Sequence, residues 1–157
     1  MRANLSQANL SGARLTHAQL TNAILRNTNL EHADLEHAIL QGADLNGARL
    51  NHANFSHAQL LNINLTHADL RDARLEQAEL RDANLSLARL DRANLQQASL
   101  YGAILIQASL RNTNLNGANL RYANFSQATL TGSDLHKAQL EFAILPNGTT
   151  YQGTIPY

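Results

Sequence analysis

The sequence predicts an all-β solenoid, a chain wound into a four-sided parallel coil of about seven turns. Three observations carry that expectation. A five-residue unit, clearest in Gly42-Ala43-Asp44-Leu45-Asn46-Gly47-Ala48-Arg49-Leu50, runs without an insertion from Met1 to Leu145. Neither a helix nor a straight strand keeps a period of five on one face. Opposite charges come together when residues twenty positions apart are stacked.

The core positions are the strictest part of the repeat. Every fifth residue from Leu5 to Leu145 is Leu, apart from Phe55 and Phe125, and the residue two before it is Ala except at Thr28, Ile63, Thr113 and Ser133. On a helix, successive leucines would be offset by about 140° and scatter round the cylinder. In a straight strand an odd period throws each one to the opposite face. A short extended piece, Ala-x-Leu, points its outer two residues the same way, and two further residues can then turn the chain. Each repeat is thus one side and one corner.

The corners carry their own chemistry. The second residue after each Leu includes Gly12, Asn22, Asn27, His32, Gly42, Gly47, Asn62, Asp72, Gly102, Gly117 and Gly132. These residue types tolerate positive φ best. Proline is absent until Pro146, so the repeats keep their amide donors for pairing between coils.

Charge decides how many sides close a coil, because stacked like charges are unfavourable. A separation of twenty pairs Arg14 with Asp34, Arg49 with Asp69, Asp69 with Arg89, Arg71 with Asp91, Asp91 with Arg111, Asp72 with Arg92, and Arg121 with Glu141. Fifteen gives one opposite pair, Asp34 with Arg49, against the like pairs Arg74 with Arg89 and Glu76 with Asp91, and twenty-five gives only like pairs, Asp44 with Asp69 and Arg49 with Arg74. Four repeats per coil follows.

Runs such as ANLSQANLSGARL and GADLNGARL resemble the pentapeptide-repeat family, written A(D/N)LXX, across residues 1–145. The resemblance implies a right-handed, four-sided parallel β-helix with the central Leu or Phe and the preceding Ala pointing inward. Arg, Gln, Ser or Ile often stands where Asp or Asn is usual. Coils about 4.8 Å apart give a rod about 35 Å long. Leu45 typifies its core, Phe55 and Phe125 need extra room, and Ile63 enlarges an Ala site. Thr28, Thr113 and Ser133 place hydroxyls inside, where backbone carbonyls should accept their protons. Residues 146–157, PNGTTYQGTIPY, read as a turn at Asn147-Gly148 and a terminal cap. At the other end the repeat starts almost at Met1, so the first coil's open edge is expected to meet a partner or to belong to a longer chain.

Composition narrows the function. Twelve basic and twelve acidic residues cancel, so no whole-molecule field attracts nucleic acid or an anionic membrane. The absence of cysteine fits a reducing cytoplasm, and no apolar run resembles a leader or a membrane span. Stacking by twenty puts His17, His37 and His57 in one column and His32 with His52 in the next. No carboxylate or Cys completes a ligand set there, so neither a metal nor a cofactor is expected. The columns Arg49-Asp69-Arg89 and Arg71-Asp91-Arg111 read as ladders fixing the register. No nucleophile and base meet in a cleft, so no enzyme or small-molecule substrate is expected.

The informative cluster lies near the C-terminal end. Tyr101, Tyr122 and Phe142 fall together, with Ile104, Ile106 and Ile144 on the adjoining side. Contiguous apolar surface of this kind marks contact. Tyr151, Ile155 and Tyr157 could cover it in cis; otherwise it meets a second copy through the C-terminal coils, or another protein. The expectation is a non-catalytic scaffold that binds a protein partner through this patch. The alternative, drawn from the quinolone-resistance branch of the family, is a DNA mimic protecting a type II topoisomerase, which would need rows of unneutralised carboxylates.

Overall fold

In the computed structural model, which describes residues 3–153, the chain winds into a four-sided coil. Every parallel bridge joins residues twenty apart, as in Asn4 to Ile24, Arg49 to Asp69 and Asn124 to Ile144. Pairing is confined to one bridged residue per side, the one between Ala and Leu, and continuous strands are absent among the described residues. A side holding three residues between turns leaves no length for more.

The main-chain hydrogen bonds explain the five-residue unit. The Leu45 N–H donates to the Asn64 carbonyl at 2.8 Å and the Gly47 N–H to the Thr66 carbonyl at 2.9 Å, both one coil on. The Asn64 N–H donates back to the Ala43 carbonyl at 3.0 Å, and the Ala48 N–H closes the corner on the Leu45 carbonyl at 3.0 Å. One N–H per repeat remains, on the residue after Leu. Where Asp or Asn precedes the Leu, its side-chain oxygen accepts that proton: Asp44 Oδ1 from Asn46 at 3.1 Å, Asn84 Oδ1 from Ser86 at 3.0 Å, and Asn124 Oδ1 from Ser126 at 2.9 Å. The Asp or Asn of the motif is therefore an acceptor for a donor that would otherwise depend on water.

At the corners φ is negative, then positive, with the first carbonyl bonded to the fourth residue, the pattern of a type II turn. Positive φ is not limited to Gly, Asn, Asp and His, as the residue types suggest. Gln77, Leu87, Arg92, Tyr122, Lys137 and Phe142 adopt it too, with φ between 56° and 61°. The ladder on both sides of a corner dictates its geometry whatever residue stands there.

The core is a column of leucines beside a column of alanines, fully buried through the middle of the rod. Leu45, Phe55, Ile63 and Phe125 all lie within it. The internal hydroxyls find their carbonyls: Thr28 Oγ1 donates to Leu5 at 2.9 Å, Thr113 Oγ1 to Leu90 at 2.8 Å, and Ser133 Oγ to Leu110. Towards the ends burial thins, leaving Leu5, Leu10, Leu15 and Leu20 at one end and Leu130 and Leu135 at the other only partly covered.

The turn at Asn147-Gly148 sends the chain back along the last repeat. Ile144 bridges Thr150 in antiparallel sense, the Leu145 N–H donates to the Thr149 carbonyl at 2.8 Å, and the Tyr151 N–H donates to the Ala143 carbonyl at 2.7 Å. A hairpin returns in the plane of pairing, so this segment extends the stack on one side of its C-terminal edge.

Candidate partner interface

One wall of the coil carries the sequence-predicted cluster. Its floor is the bridged column Asn84, Ile104, Asn124 and Ile144. Along one side runs the corner row with Tyr122 and Phe142, and along the other lies the next corner, with Ser86, Ile106 and Ser126 in its first row and Leu87, Gln107 and Gln127 in its second. Tyr101 sits one residue before its corner, yet its ring meets Tyr122 with centroids 5.2 Å apart; Tyr122 stacks on Phe142 at 5.0 Å. Among the described residues, the large apolar side chains left exposed are Leu87, Tyr101, Ile104, Tyr122 and Phe142, between 38% and 54% accessible. Tyr101, Ile104, Tyr122 and Phe142 gather here, and Leu87 stands at the corner that bounds the wall on its far side. Ile106 and Ile144 are half-buried between them.

Leu87 is the member that sequence reading missed. A lone leucine at a corner carries no signal, but its N–H donates to the Ile106 carbonyl at 2.9 Å, which seats it beside that residue. Leu87, Tyr122 and Phe142 also hold φ near 60°, a conformation that costs a bulky L-residue about 1–2 kcal/mol.

Of the tail residues that could cover the wall in cis, Tyr151 lies at its C-terminal edge, where its carbonyl accepts the Phe142 N–H at 3.2 Å and leaves Phe142 54% exposed. Tyr151 packs against the end of the core, because the hairpin extends the edge and does not fold over the wall. Ile155 and Tyr157 lie outside the described residues. A shallow cleft beside Phe142 is lined by Glu141, Thr150, Tyr151 and Gln152.

Polar groups on the wall are already engaged with one another. Ser86 Oγ donates to Asn84 Oδ1 at 2.7 Å, Ser126 Oγ to Asn124 Oδ1 at 2.6 Å, and Gln107 Nε2 to Gln127 Oε1 at 2.7 Å. The nearest ion pair, Arg121 with Glu141 at 3.6 Å, stands on the corner next to Tyr122 and Phe142. The wall therefore offers apolar contact and little charge.

Charge lies away from this patch, and its pairing differs from the stacking that the sequence suggests. Of the seven pairs twenty apart, Asp69 with Arg89 (3.4 Å), Asp72 with Arg92 (2.6 Å) and Arg121 with Glu141 form ion pairs. Arg14 with Asp34, Arg49 with Asp69, Arg71 with Asp91 and Asp91 with Arg111 do not. Arg71 turns along its own coil to Asp69 at 2.6 Å, Arg49 reaches diagonally to Glu31 at 2.7 Å, and Arg26 to Asp44 at 2.5 Å. Asp91 instead accepts the Arg111 backbone N–H at 2.9 Å. Positions two apart on one coil, and eighteen apart across coils, flank the same side, so a long guanidinium reaches them as easily as the residue stacked above. The backbone register remains twenty.

These contacts set the acidity of three carboxyls. Partial burial by itself pushes Asp69 up, but hydrogen bonds from the Arg71 side chain and backbone, with the charges of Arg71 and Arg89, hold it below the usual range. The Arg92 hydrogen bond lowers Asp72 against a smaller effect of burial. Burial also opposes the net lowering of Glu76, which hydrogen bonds including one from Ser56 and the Arg74 charge bring about.

The histidine columns stack as the coil spacing requires. His17, His37 and His57 lie ring on ring at 5.0 and 4.9 Å, and His32 with His52 at 4.8 Å. Parallel rings set their nitrogens side by side and do not converge on a point.

Comparison with known proteins bears on this geometry. Residues 13–90 match the family described as pentapeptide repeat region, and residues 108–145 match pentapeptide repeats (8 copies). Among solved structures the chain is similar to HetL, a pentapeptide repeat protein involved in heterocyst differentiation regulation from the cyanobacterium Nostoc sp. strain PCC 7120. The two are 32% identical over 96% of this chain and 82% of HetL, with a TM-score of 0.54. The chain belongs to the pentapeptide-repeat family. It is also similar to full-length QnrB1, a plasmid-mediated fluoroquinolone resistance protein, at 18% identity over 98% of this chain and 91% of QnrB1, with a TM-score of 0.58. At that identity the likeness is one of fold. These pentapeptide-repeat neighbours imply that the four-sided coil is right-handed. No curated protein matches the chain. No helix among the described residues of this pentapeptide-repeat protein is long and apolar enough to cross a membrane.

Proposed function

We propose that this pentapeptide-repeat protein is a non-catalytic cytoplasmic scaffold that binds a protein partner through the wall formed by Leu87, Tyr101, Ile104, Ile106, Tyr122, Phe142 and Ile144. The observation that carries this reading is that the large exposed apolar side chains among the described residues stand on this wall or at the corners that bound it. The experiment is affinity capture from the native host with the wild-type chain and with Tyr122→Asn and Phe142→Asn together. A partner retained by the wild type and lost by the double variant is expected. Equal retention by both removes this wall from the function.

The fold likeness to QnrB1 keeps one second reading in view, DNA mimicry that protects a type II topoisomerase. The charge arrangement weighs against it, since Asp44, Asp69 and Asp72 are each neutralised by an Arg. Under this proposal, added protein leaves quinolone inhibition of such an enzyme unchanged in a supercoiling assay; protection from the drug would favour mimicry.

A further inference from the structure

We infer that the segment this wall accepts is one short amphipathic α-helix of a partner protein, lying along the rod between the two corner rows. The inference rests on the reading that the wall binds protein, and three features select the helix.

The first is backbone chemistry. In these coils the floor residues have no free main-chain groups for a visitor. Ile104 donates to the Ala83 carbonyl at 2.9 Å and accepts from the Leu85 N–H at 2.7 Å; Asn124 donates to Ala103 at 2.9 Å and accepts from Leu105 at 2.8 Å. Ile144 donates to Ala123 at 2.9 Å and accepts from Phe125 at 2.7 Å. An extended peptide laid here would leave its own N–H and C=O groups dry and unpartnered, because β-addition needs an open edge. A helix arrives with those groups already paired within itself.

The second is size. From the Asn84 level to the Ile144 level is three coil rises, about 14 Å, which a helix of about ten residues spans. Across the wall, Tyr122 to Ser126 is at most about 13 Å, close to the 10–12 Å diameter of a helix with its side chains. The aromatic row and the corner that holds Ile106 and Leu87 would flank such a helix, with Ile104 and Ile144 beneath its apolar stripe.

The third is area and charge, which set a second copy aside. Roughly 200 Å² on this estimate is the footprint of one short helix, whereas two rods packed face to face would need roughly 800 Å² of each and would have to extend the contact down the same wall. Extending the contact down the same wall brings in Asp44 with Arg26 and no further large exposed apolar residue. The polar residues on the wall already bond one another, so the visitor needs apolar anchors at i, i+3, i+4 and i+7 and no specific charges.

The test uses the full chain, labelled for amide NMR, and two synthetic Leu/Lys peptides of identical composition. One peptide places Leu in the helical register and the other alternates Leu with Lys. The helical-register peptide is expected to saturate and to shift signals around Leu87, Ile104, Tyr122 and Phe142. It should bind about tenfold or more tightly than its alternating counterpart. Tyr122→Asn with Phe142→Asn should weaken it about tenfold, and Asn is at home at φ near 60°, so the rest of the spectrum should stay in place. Equal binding of both peptides, shifts centred on another wall, or a self-associating chain whose pairing the double variant abolishes would each overturn the helix assignment. If the double variant loses the captured native partner while the helical-register peptide does not bind, the partner reading stands and the helix falls. If capture is unaffected, the partner reading falls first.

Discussion

At the residue scale, the coil depends on left-handed corners, and the chain does not always place there the residues that suit them best. Leu87 holds φ of 61° with its side chain largely in solvent, so little burial offsets the conformational cost. Leu87→Asn should therefore raise the melting temperature by about 1–2 °C, with Tyr122→Asn acting in the same direction. Calorimetry on each single variant checks this, and a lowered value would mean that these side chains support the fold. Gly42 shows the converse. A Cβ there would stand 2.5 Å from Asn22 Oδ1, at φ of +65°. The oxygen ends a side chain that can rotate away, whereas the dihedral is held by the ladder, so the backbone term should win. Gly42→Ala is expected to cost about 1 kcal/mol. In an Asn22→Ala background it should cost nearly the same, with a coupling below about 0.5 kcal/mol in denaturant unfolding.

At the scale of one coil, an Asp or Asn that precedes Leu satisfies the last N–H of its repeat, and three nearby carboxyls report on contacts within and between coils. Asp69, Asp72 and Glu76 have folded-state pKa values below their usual ones. A lowered carboxyl contributes stability that is complete above its unfolded value, near 4, and is lost as pH falls through the folded value. The melting temperature should be flat in these groups above about pH 5 and fall below about pH 4. Asp69→Asn with Asp72→Asn should lower it at neutral pH and make the acid fall shallower. A fall of unchanged depth in that variant would place the acid sensitivity elsewhere. Much of the coil was legible beforehand: the Leu and Ala columns, the twenty-residue register and the hydroxyls of Thr28 and Thr113 follow from period, volume and hydrogen-bonding need. Ion-pair partners were not, because the register fixes Cα positions while Arg49 and Arg71 reach diagonally or along their own coil. The wall was mostly legible from the same arithmetic, but Leu87 was not, since its exposure depends on neighbours in two coils.

At the scale of the whole molecule, each coil touches only the coils beside it, so stability is a sum of nearest-neighbour terms and need not be lost all at once. The middle of the rod has leucines sealed on both sides. At its ends Leu5, Leu10, Leu15, Leu130 and Leu135 are partly open, and the amide N–H groups of Leu130 and Leu135 meet no acceptor among the described residues. Opening an end coil surrenders less buried surface and breaks one interface instead of two. Leu70→Ala should then cost about 2–5 kcal/mol, and Leu10→Ala distinctly less, because the half-covered site has less burial to lose and can relax. Amide exchange should show the same gradient without mutation: slowest from Leu45 to Leu110, faster by stages towards Leu5 and towards Leu135. The Tyr151 pairing to Ala143 should slow exchange on that side of the last coil relative to Leu135. Uniform protection from end to end would mean that the coils open together, and the sum of neighbour terms would have to give way to a single cooperative core.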